Sequence, residues 1–341
     1  MPNEPSFRPR GTPGPSLLGP GAEFDLIRRF LPAAAGTRAD VRVGPGDDCA
    51  VVAGEGIALS SDLSVEEVHF RRDWLSPELI GFRAAAAALS DLAAVAARPI
   101  GVMASVAVAE EDAGPFVVAV MGGVRRAADS VGAALLGGDL TRSPGPLMID
   151  ITVVGEAARP VLRSGAHHGD EVWVTGELGG AAACVSRLLE GRRAPRDAWA
   201  RFAEPRARVR EARWLAERGL PTAMLDLSDG LAGDAAHLAA ASKVAVLLVP
   251  ELIPVHPAAA RARSRRAALA MALGGGEDYE LCFTAAPGTV EAMRRDFEQC
   301  FELPLRCVGR VGHGDGVWWV DPEGHRTPMD SRGFGHFHDP R

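Results

Sequence analysis

The 341-residue sequence predicts a two-domain α/β (α+β) fold. Segments with helical periodicity alternate with short apolar, β-branched runs. The alternation passes through the first half, pauses at the turn-rich stretch AARPVLRSGAHHGD between residues 157 and 170, and then begins again. With 47% apolar side chains, a chain of this length fills two cores of ordinary size more readily than one.

Residues 1–21 are rich in proline and lack an apolar core, so they read as a disordered tail rather than a signal peptide. EFDLIRRFL is a short amphipathic helix, CAVVA a strand entered from a glycine turn, and GIALSSD a further strand. In SPELIGFRAAAAALSDLAAVAARP, Ser76 is the N-cap, Pro77 takes the first helical position and Pro99 enforces a stop, giving a helix of about five turns. IGVMASVAVAE is a strand, AGPFVVAVMGGVRRAADSVG a helix, and AALLGGD and PLMIDITVVGEA strands. Beyond the pause, GGAAACVSRLLEG, RARVREARWLAERG and GLAGDAAHLAAAS read as helices; TAMLDLS, VAVLLV, EDYELCFTA, RCVGRVG and GVWWVD read as strands. The domains are therefore 22–156 and 157–341.

The formal charge of −7, from 37 basic against 44 acidic residues, offers no basic field for nucleic acid or an anionic membrane. No apolar run approaches the roughly 18 to 20 residues of a membrane helix. Cys49, Cys184, Cys282, Cys300 and Cys307 are scattered and form no C-x-x-C pair, which fits a reducing cytoplasm rather than a disulfide framework or zinc knuckle. Lys243 is the sole lysine and follows no glycine-rich loop. That excludes a Walker A phosphate loop, a Schiff-base lysine and the strand lysine of protein kinases.

Acids recur beside glycine or serine at the ends of apolar runs: Asp47 and Asp48 in GDD, Asp62 after Ser60 and Ser61, Asp139 after Gly138, and Asp226 and Asp229, the latter beside Ser228, in LDLSDG. Asp91 sits on the long apolar helix between serine and leucine. Taken singly, each suits a turn, a helix cap or a carboxylate bonded to a neighbouring helix end. Gathered together they require cations, because two like charges about 4 Å apart repel by about 4 kcal/mol at an effective dielectric near 20. Oxygen-only donors select a hard ion such as Mg²⁺, which also bridges phosphates.

ALGGGEDYELCF adds a second constellation. Three glycines before Glu277 and Asp278 suggest backbone brought close to something, or a turn with solvated acids. His69 in VEEVHF suits either a packed histidine or a ligand contact.

GPGDDCAVV, SSDLSVEEVHF, AALSDLAAVAARP, GGDLTRSPG, LRSGAHHGDEVWVTG, LDLSDGLAGDAAHLAAAS, GGGEDYELCFT and GFGHF occur in this order from about residue 22 to residue 338. Together they resemble the thiamine-monophosphate kinase family, of the superfamily that includes aminoimidazole ribonucleotide synthetase and selenide-water dikinase. The resemblance implies an N-terminal mixed-sheet domain that binds ATP and dimerises through its sheet, and a C-terminal α/β domain. It implies Mg²⁺ at Asp47, Asp48, Ser60, Ser61, Asp62, Asp91, Asp139, Asp226 and Asp229, and ATP at Gly138, Asp139, Arg163 and Ser228. It implies thiamine monophosphate at His69, Glu277 and Phe334, and a cytoplasmic homodimer. Departures are Ser61 for the usual threonine, Pro45 for an aliphatic residue, Glu67 for glycine, and no tyrosine in the first half to contact the nucleotide. Two other readings share the acidic platform: another ATP-dependent enzyme of the superfamily, a cyclase or amide-activating one, and a silent nucleotide sensor.

Overall fold

The computed structural model describes residues 41–43, 51–52 and 56–329. The expected EFDLIRRFL helix, Asp47, Asp48 and Phe334 lie outside the described residues. The chain divides into two units, one from the residues up to Ala85 with Pro99–Ala158, the other from Ala86–Arg98 with Arg159 onward. Besides a seam after Ala158, the second half of the long helix thus belongs to the C-terminal unit, which turn-rich sequence alone does not signal.

In the N-terminal unit, β1 (Val41–Val43) and β2 (Val51–Val52) pair antiparallel. The main sheet holds β3 (Ile57–Val65), β4 (Arg98–Val108), β5 (Ala134–Arg142) and β6 (Met148–Glu156) in the order β3-β6-β4-β5. It is mixed: β3 and β6 run antiparallel, whereas β4 and β5 are parallel because a helix carries the chain between them. Helices α1 (Pro77–Ala94) and α2 (Pro115–Ser130) approach closely through two glycines. A Cβ on Gly81 would lie 1.9 Å from the Val120 carbonyl oxygen, and one on Gly123 1.9 Å from that of Glu78. Ser76 Oγ accepts from the Leu79 N–H at the start of α1. The helix closes before Pro99 by left-handed Ala96 and an Ala97 N–H returned to the Leu92 carbonyl. Val102, Ala104, Val106 and Val108 of β4 are buried, as are Val117, Val120 and Val124 of α2. Along β3, Ile57, Leu59, Ser61 and Leu63 alternate outward on an exposed face.

The C-terminal unit has a seven-stranded sheet. Its strands are β7 (Glu171–Thr175), β8 (Pro221–Asp226), β9 (Ala245–Leu248), β10 (Leu281–Ala285), β11 (Leu305–Gly312), β12 (Val317–Val320) and β13 (Arg326–Pro328). They lie in the order β13-β12-β9-β11-β7-β10-β8, with β9 and β12 parallel. The helices are α3 (Gly180–Leu189), α4 (Arg196–Ala203), α5 (Val209–Glu217), α6 (Leu231–Ser242), α7 (Pro257–Ala260), α8 (Arg265–Gly274) and α9 (Thr289–Phe301). Val174, Leu225, Leu238, Leu248, Cys282 and Val308 belong to one core cluster that ties α6 to the sheet. Among the described residues no helix is long and apolar enough to cross a membrane. Among the described residues, Cys184, Cys282, Cys300 and Cys307 form no disulfide.

Candidate functional site

Strand β8 ends at Asp226 where β10 begins, with Leu281 opposite Asp226 in the antiparallel register. This pairing sets the loops LDLSDG and GGGEDYEL side by side. The Leu227 N–H donates to the Glu280 carbonyl at 2.8 Å, that of Tyr279 to the Leu227 carbonyl at 2.9 Å, and that of Glu277 to the Ser228 carbonyl at 2.7 Å. Of the three glycines foreseen for a close approach, Gly276 meets the other loop's backbone, where a Cβ would lie 2.8 Å from the Ser228 oxygen, whereas Gly275 packs against Ala182 and Met271. Gly230, at φ +97°, has the same constraint, 2.5 Å from the Leu273 oxygen. Glu277 and Ser228, more than forty positions apart in the chain, are thereby neighbours.

Around that double loop the acids gather. Ser90 Oγ, on α1, donates to Asp226 Oδ2 at 2.6 Å with both side chains buried. Burial pushes the Asp226 carboxyl up to about 6; the Ser90 hydrogen bond opposes this, the Asp91 charge adds to it and the Arg163 guanidinium opposes it. Asp229 is half-buried, and its N–H donates to Asp234 Oδ2 at 3.1 Å. Asp234 was not among the expected residues. Burial pushes it up to about 8, with Asp226 and Asp229 contributing repulsion. Its signal was present: an acid between Leu231 and Leu238, on the buried face of α6, is as anomalous as Asp91 on α1.

Arg163 is exposed and held by its backbone. Its carbonyl accepts from Ser242 Oγ at 2.9 Å, the preceding Leu162 carbonyl accepts from the Met224 N–H at 2.9 Å, and Gly165 passes Thr222 where a Cβ would lie 2.4 Å from oxygen. Its charge acts on both Asp226 and Asp234. The donor set of carboxylates and hydroxyls, with two carboxyls driven toward their neutral forms, fits a hard divalent cation.

In the N-terminal unit, Ser61 Oγ donates to Asp150 Oδ1 at 2.9 Å and lies 3.1 Å from Thr152 Oγ1. Strand alternation therefore puts Ser60 and Asp62 on the opposite face from Ser61. Asp139 is exposed and accepts from the Leu140 N–H. Gly138, at φ +155°, has to be glycine, since a Cβ would lie 1.8 Å from the Ala104 oxygen of the neighbouring strand. Asp62 on β3 and Asp139 on β5 stand on the two outer strands of the sheet, which three strand spacings set roughly 14 Å apart. His69 is half-buried, and its Nδ1 accepts from the Val65 N–H at 3.0 Å, which leaves the proton of the neutral ring on Nε2. Glu67, where glycine is expected, adopts φ +66° in the same turn.

Among the described residues, one trio of metal-capable side chains has its ligand atoms within 4.8 Å of one another, the exposed Asp321, Glu323 and His325 between β12 and β13. The acids around the double loop are coupled electrostatically without forming such a trio.

Residues 46–157 match the family described as AIR synthase related protein, N-terminal domain, and residues 167–319 its C-terminal domain. Fold and site thus define a member of the AIR synthase related class. Within it, the chain is 32% identical over 327 residues to the thiamine-monophosphate kinase of Salmonella typhimurium, spanning 93% of this chain and 99% of that one. The crystal structure of thiamine-monophosphate kinase from Stenotrophomonas maltophilia K279a superposes with a TM-score of 0.78 at 34% identity, covering 89% of this chain and 96% of the other. AaThiL complexed with AMPPCP and TMP superposes at 0.72 with 29% identity, covering 82% and 87%. The chain belongs to the thiamine-monophosphate kinase family.

Proposed function

We propose that this chain transfers the γ-phosphoryl group of ATP to the phosphate of thiamine monophosphate, yielding thiamine diphosphate and ADP, with Mg²⁺. The observation that carries the reading is the double loop. It joins Ser228, next to Asp229 in the nucleotide and metal motif, to Glu277, of the substrate motif, by a direct backbone hydrogen bond from the Glu277 N–H to the Ser228 carbonyl. A structural relative at 29% identity is complexed with an ATP analogue and TMP.

A phosphate oxygen of thiamine monophosphate forms the new P–O bond while the bond from the γ-phosphorus to the β,γ-bridging oxygen breaks, and ADP leaves with that electron pair. The acceptor phosphate has its second pKa near 6, so at neutral pH it is largely deprotonated. No side chain has to remove a proton, and the protein's work is alignment and charge neutralisation. Asp47, Asp48, Ser60, Asp62, Asp91, Asp139, Asp226 and Asp229 are the proposed Mg²⁺ holders. Ser61, also implied by the resemblance, has its hydroxyl committed to Asp150 and Thr152. When bound, the metal supplies positive charge against the polyphosphate. Arg163, beside Asp226 and Asp234, supplies the protein's own cation in a chain with almost no lysine. Gly138, Asp139, Arg163 and Ser228 hold ATP; His69, Glu277 and Phe334 hold thiamine, whose cationic ring suits an acid and a flat aromatic face. The protein acts in the cytoplasm as a homodimer through the exposed β3 face, where Ile57, Leu59 and Leu63 form an apolar stripe.

Incubating the purified protein with ATP, MgCl₂ and thiamine monophosphate, and following the products by phosphorus NMR, tests the reading. Thiamine diphosphate and ADP in equal amounts are expected. ADP release indifferent to thiamine monophosphate would overturn it in favour of another ATP-dependent enzyme, and nucleotide binding without turnover in favour of a sensor.

A further inference from the structure

The GGGEDYEL loop has two buried acids, Asp278 and Glu280. Glu277 and Tyr279 both adopt left-handed backbone, at φ +62° and +48°, a conformation non-glycine residues hold only when their surroundings impose it. Two anchors do so. Asp278, buried between them, accepts from the N–H groups of Gly179 at 2.7 Å and Gly180 at 3.2 Å, at the start of α3. Glu280, fully buried, accepts from Thr175 Oγ1 at 2.7 Å, Arg208 Nε at 2.8 Å, Arg208 Nη2 at 2.5 Å and Arg201 Nη1 at 2.6 Å. Although burial opposes ionisation, the two guanidiniums and these hydrogen bonds hold the Glu280 carboxyl below its ordinary range. Gly176 makes room for it, since a Cβ there would lie 2.3 Å from the carboxylate oxygen.

We infer that Asp278 and Glu280 are positioning residues: a clamp on α3, Arg201 and Arg208 that fixes the backbone of Glu277 against Ser228 and thereby sets affinity for the thiamine substrate. The inference rests on the proposed role of Glu277. A buried ion pair is weak evidence for stability but is well suited to fixing register. Here the register matters, because the Glu280 carbonyl also accepts from Leu227 and so ties the clamp to the LDLSDG loop. The far side of that loop has its own tether at Ser90, so loosening the clamp moves Glu277 more than the nucleotide residues.

Steady-state kinetics of Glu280→Gln, Arg201→Gln and Glu277→Gln test this. Arg201 is part-exposed and gives one of the four bonds, so its variant folds even where Glu280→Gln does not. Arg201→Gln is expected to raise the KM for thiamine monophosphate about tenfold, the scale of one charged hydrogen bond, with kcat and the KM for ATP within about twofold. Arg201→Lys is expected to restore most of the affinity. If folded Arg201→Gln leaves that KM unchanged while Glu277→Gln raises it, the clamp is wrong and the substrate reading stands. If Glu277→Gln itself leaves it unchanged, the reading of Glu277 fails and the clamp with it.

Discussion

Ser90 Oγ donates to Asp226 Oδ2 at 2.6 Å across 136 positions of sequence, joining the long helix to the end of β8 inside the C-terminal unit. Asp91, the next residue on that helix, raises the proton affinity of the same carboxyl. Two motifs distant in the chain, ALSDLAA and LDLSDG, are therefore one electrostatic unit.

Replacing Ser90 by alanine removes a donor from a buried carboxylate. Removing one partner of such a buried bond costs about 1–3 kcal/mol, so Ser90→Ala is expected to lower stability by that amount in urea denaturation. Because the orphaned Asp226 then favours its protonated form more strongly, the Mg²⁺ concentration for half-maximal rate rises as well. An unchanged magnesium dependence in a destabilised variant would separate Asp226 from the metal.

Asp234 separates a hydrogen-bonding role from a charge role. Asn in its place still accepts from the Asp229 N–H and carries no charge into the cluster; leucine is equally uncharged but cannot accept that bond. At pH 8, without metal, Asp234→Asn is expected to melt higher than the parent and Asp234→Leu lower, by differential scanning fluorimetry. Equal melting of the two variants would show that the hydrogen bond to Asp229 does not matter.

The pH dependence follows from three buried carboxyls raised from 3.8, Asp226 to about 6, Asp278 to about 7 and Asp234 to about 8, all primarily by burial. A carboxyl whose folded pKa is raised binds its proton more tightly folded than unfolded. Its contribution is complete below about 3.8 and is lost as pH climbs through the folded value. Metal-free protein is thus expected to lose stability between pH 5 and 8 through these groups. Added MgCl₂ should stabilise more at pH 8 than at pH 6, since cation binding competes with protons for the same oxygens. Melting curves with and without MgCl₂ across that range measure both slopes, and Asp234→Asn should flatten the metal-free one above pH 7.

What the sequence disclosed depended on whether the signal was local. The α1 helix was legible because Ser76, Pro77 and Pro99 bracket it, and the main strands because their apolar runs end at glycine or acid. Helix α9 was missed although Val290 and Phe297, both buried, stand seven residues apart on one face. Alanine and arginine in α8 gave little contrast between faces. The opposite facing of Ser61 relative to Ser60 and Asp62 was implicit in strand period. The placement of Asp62 and Asp139 on opposite outer strands was not, because strand order is a property of the whole sheet. Nor did spacing reveal that Asp278 and Glu280 turn inward while Glu277 meets Ser228; that follows from left-handed residues at 277 and 279.

The β3 edge gives the last prediction. Leu59 is 67% exposed, with Leu63 and Ile57 on the same face at 49% and 42%, an apolar row that an isolated subunit would leave in water. Burial of apolar surface yields roughly 25 cal/mol per Å², so a second copy laid over this row gains what solvent denies it, while a charge in its midst would be desolvated without a partner. With the proposed homodimer formed through this row, the parent is expected to sediment as a dimer and Leu59→Arg as a monomer in sedimentation equilibrium. It should leave the far-ultraviolet circular dichroism unchanged, because the side chain points away from the core of its own unit. Should Leu59→Arg sediment as a dimer, the association lies elsewhere on the molecule.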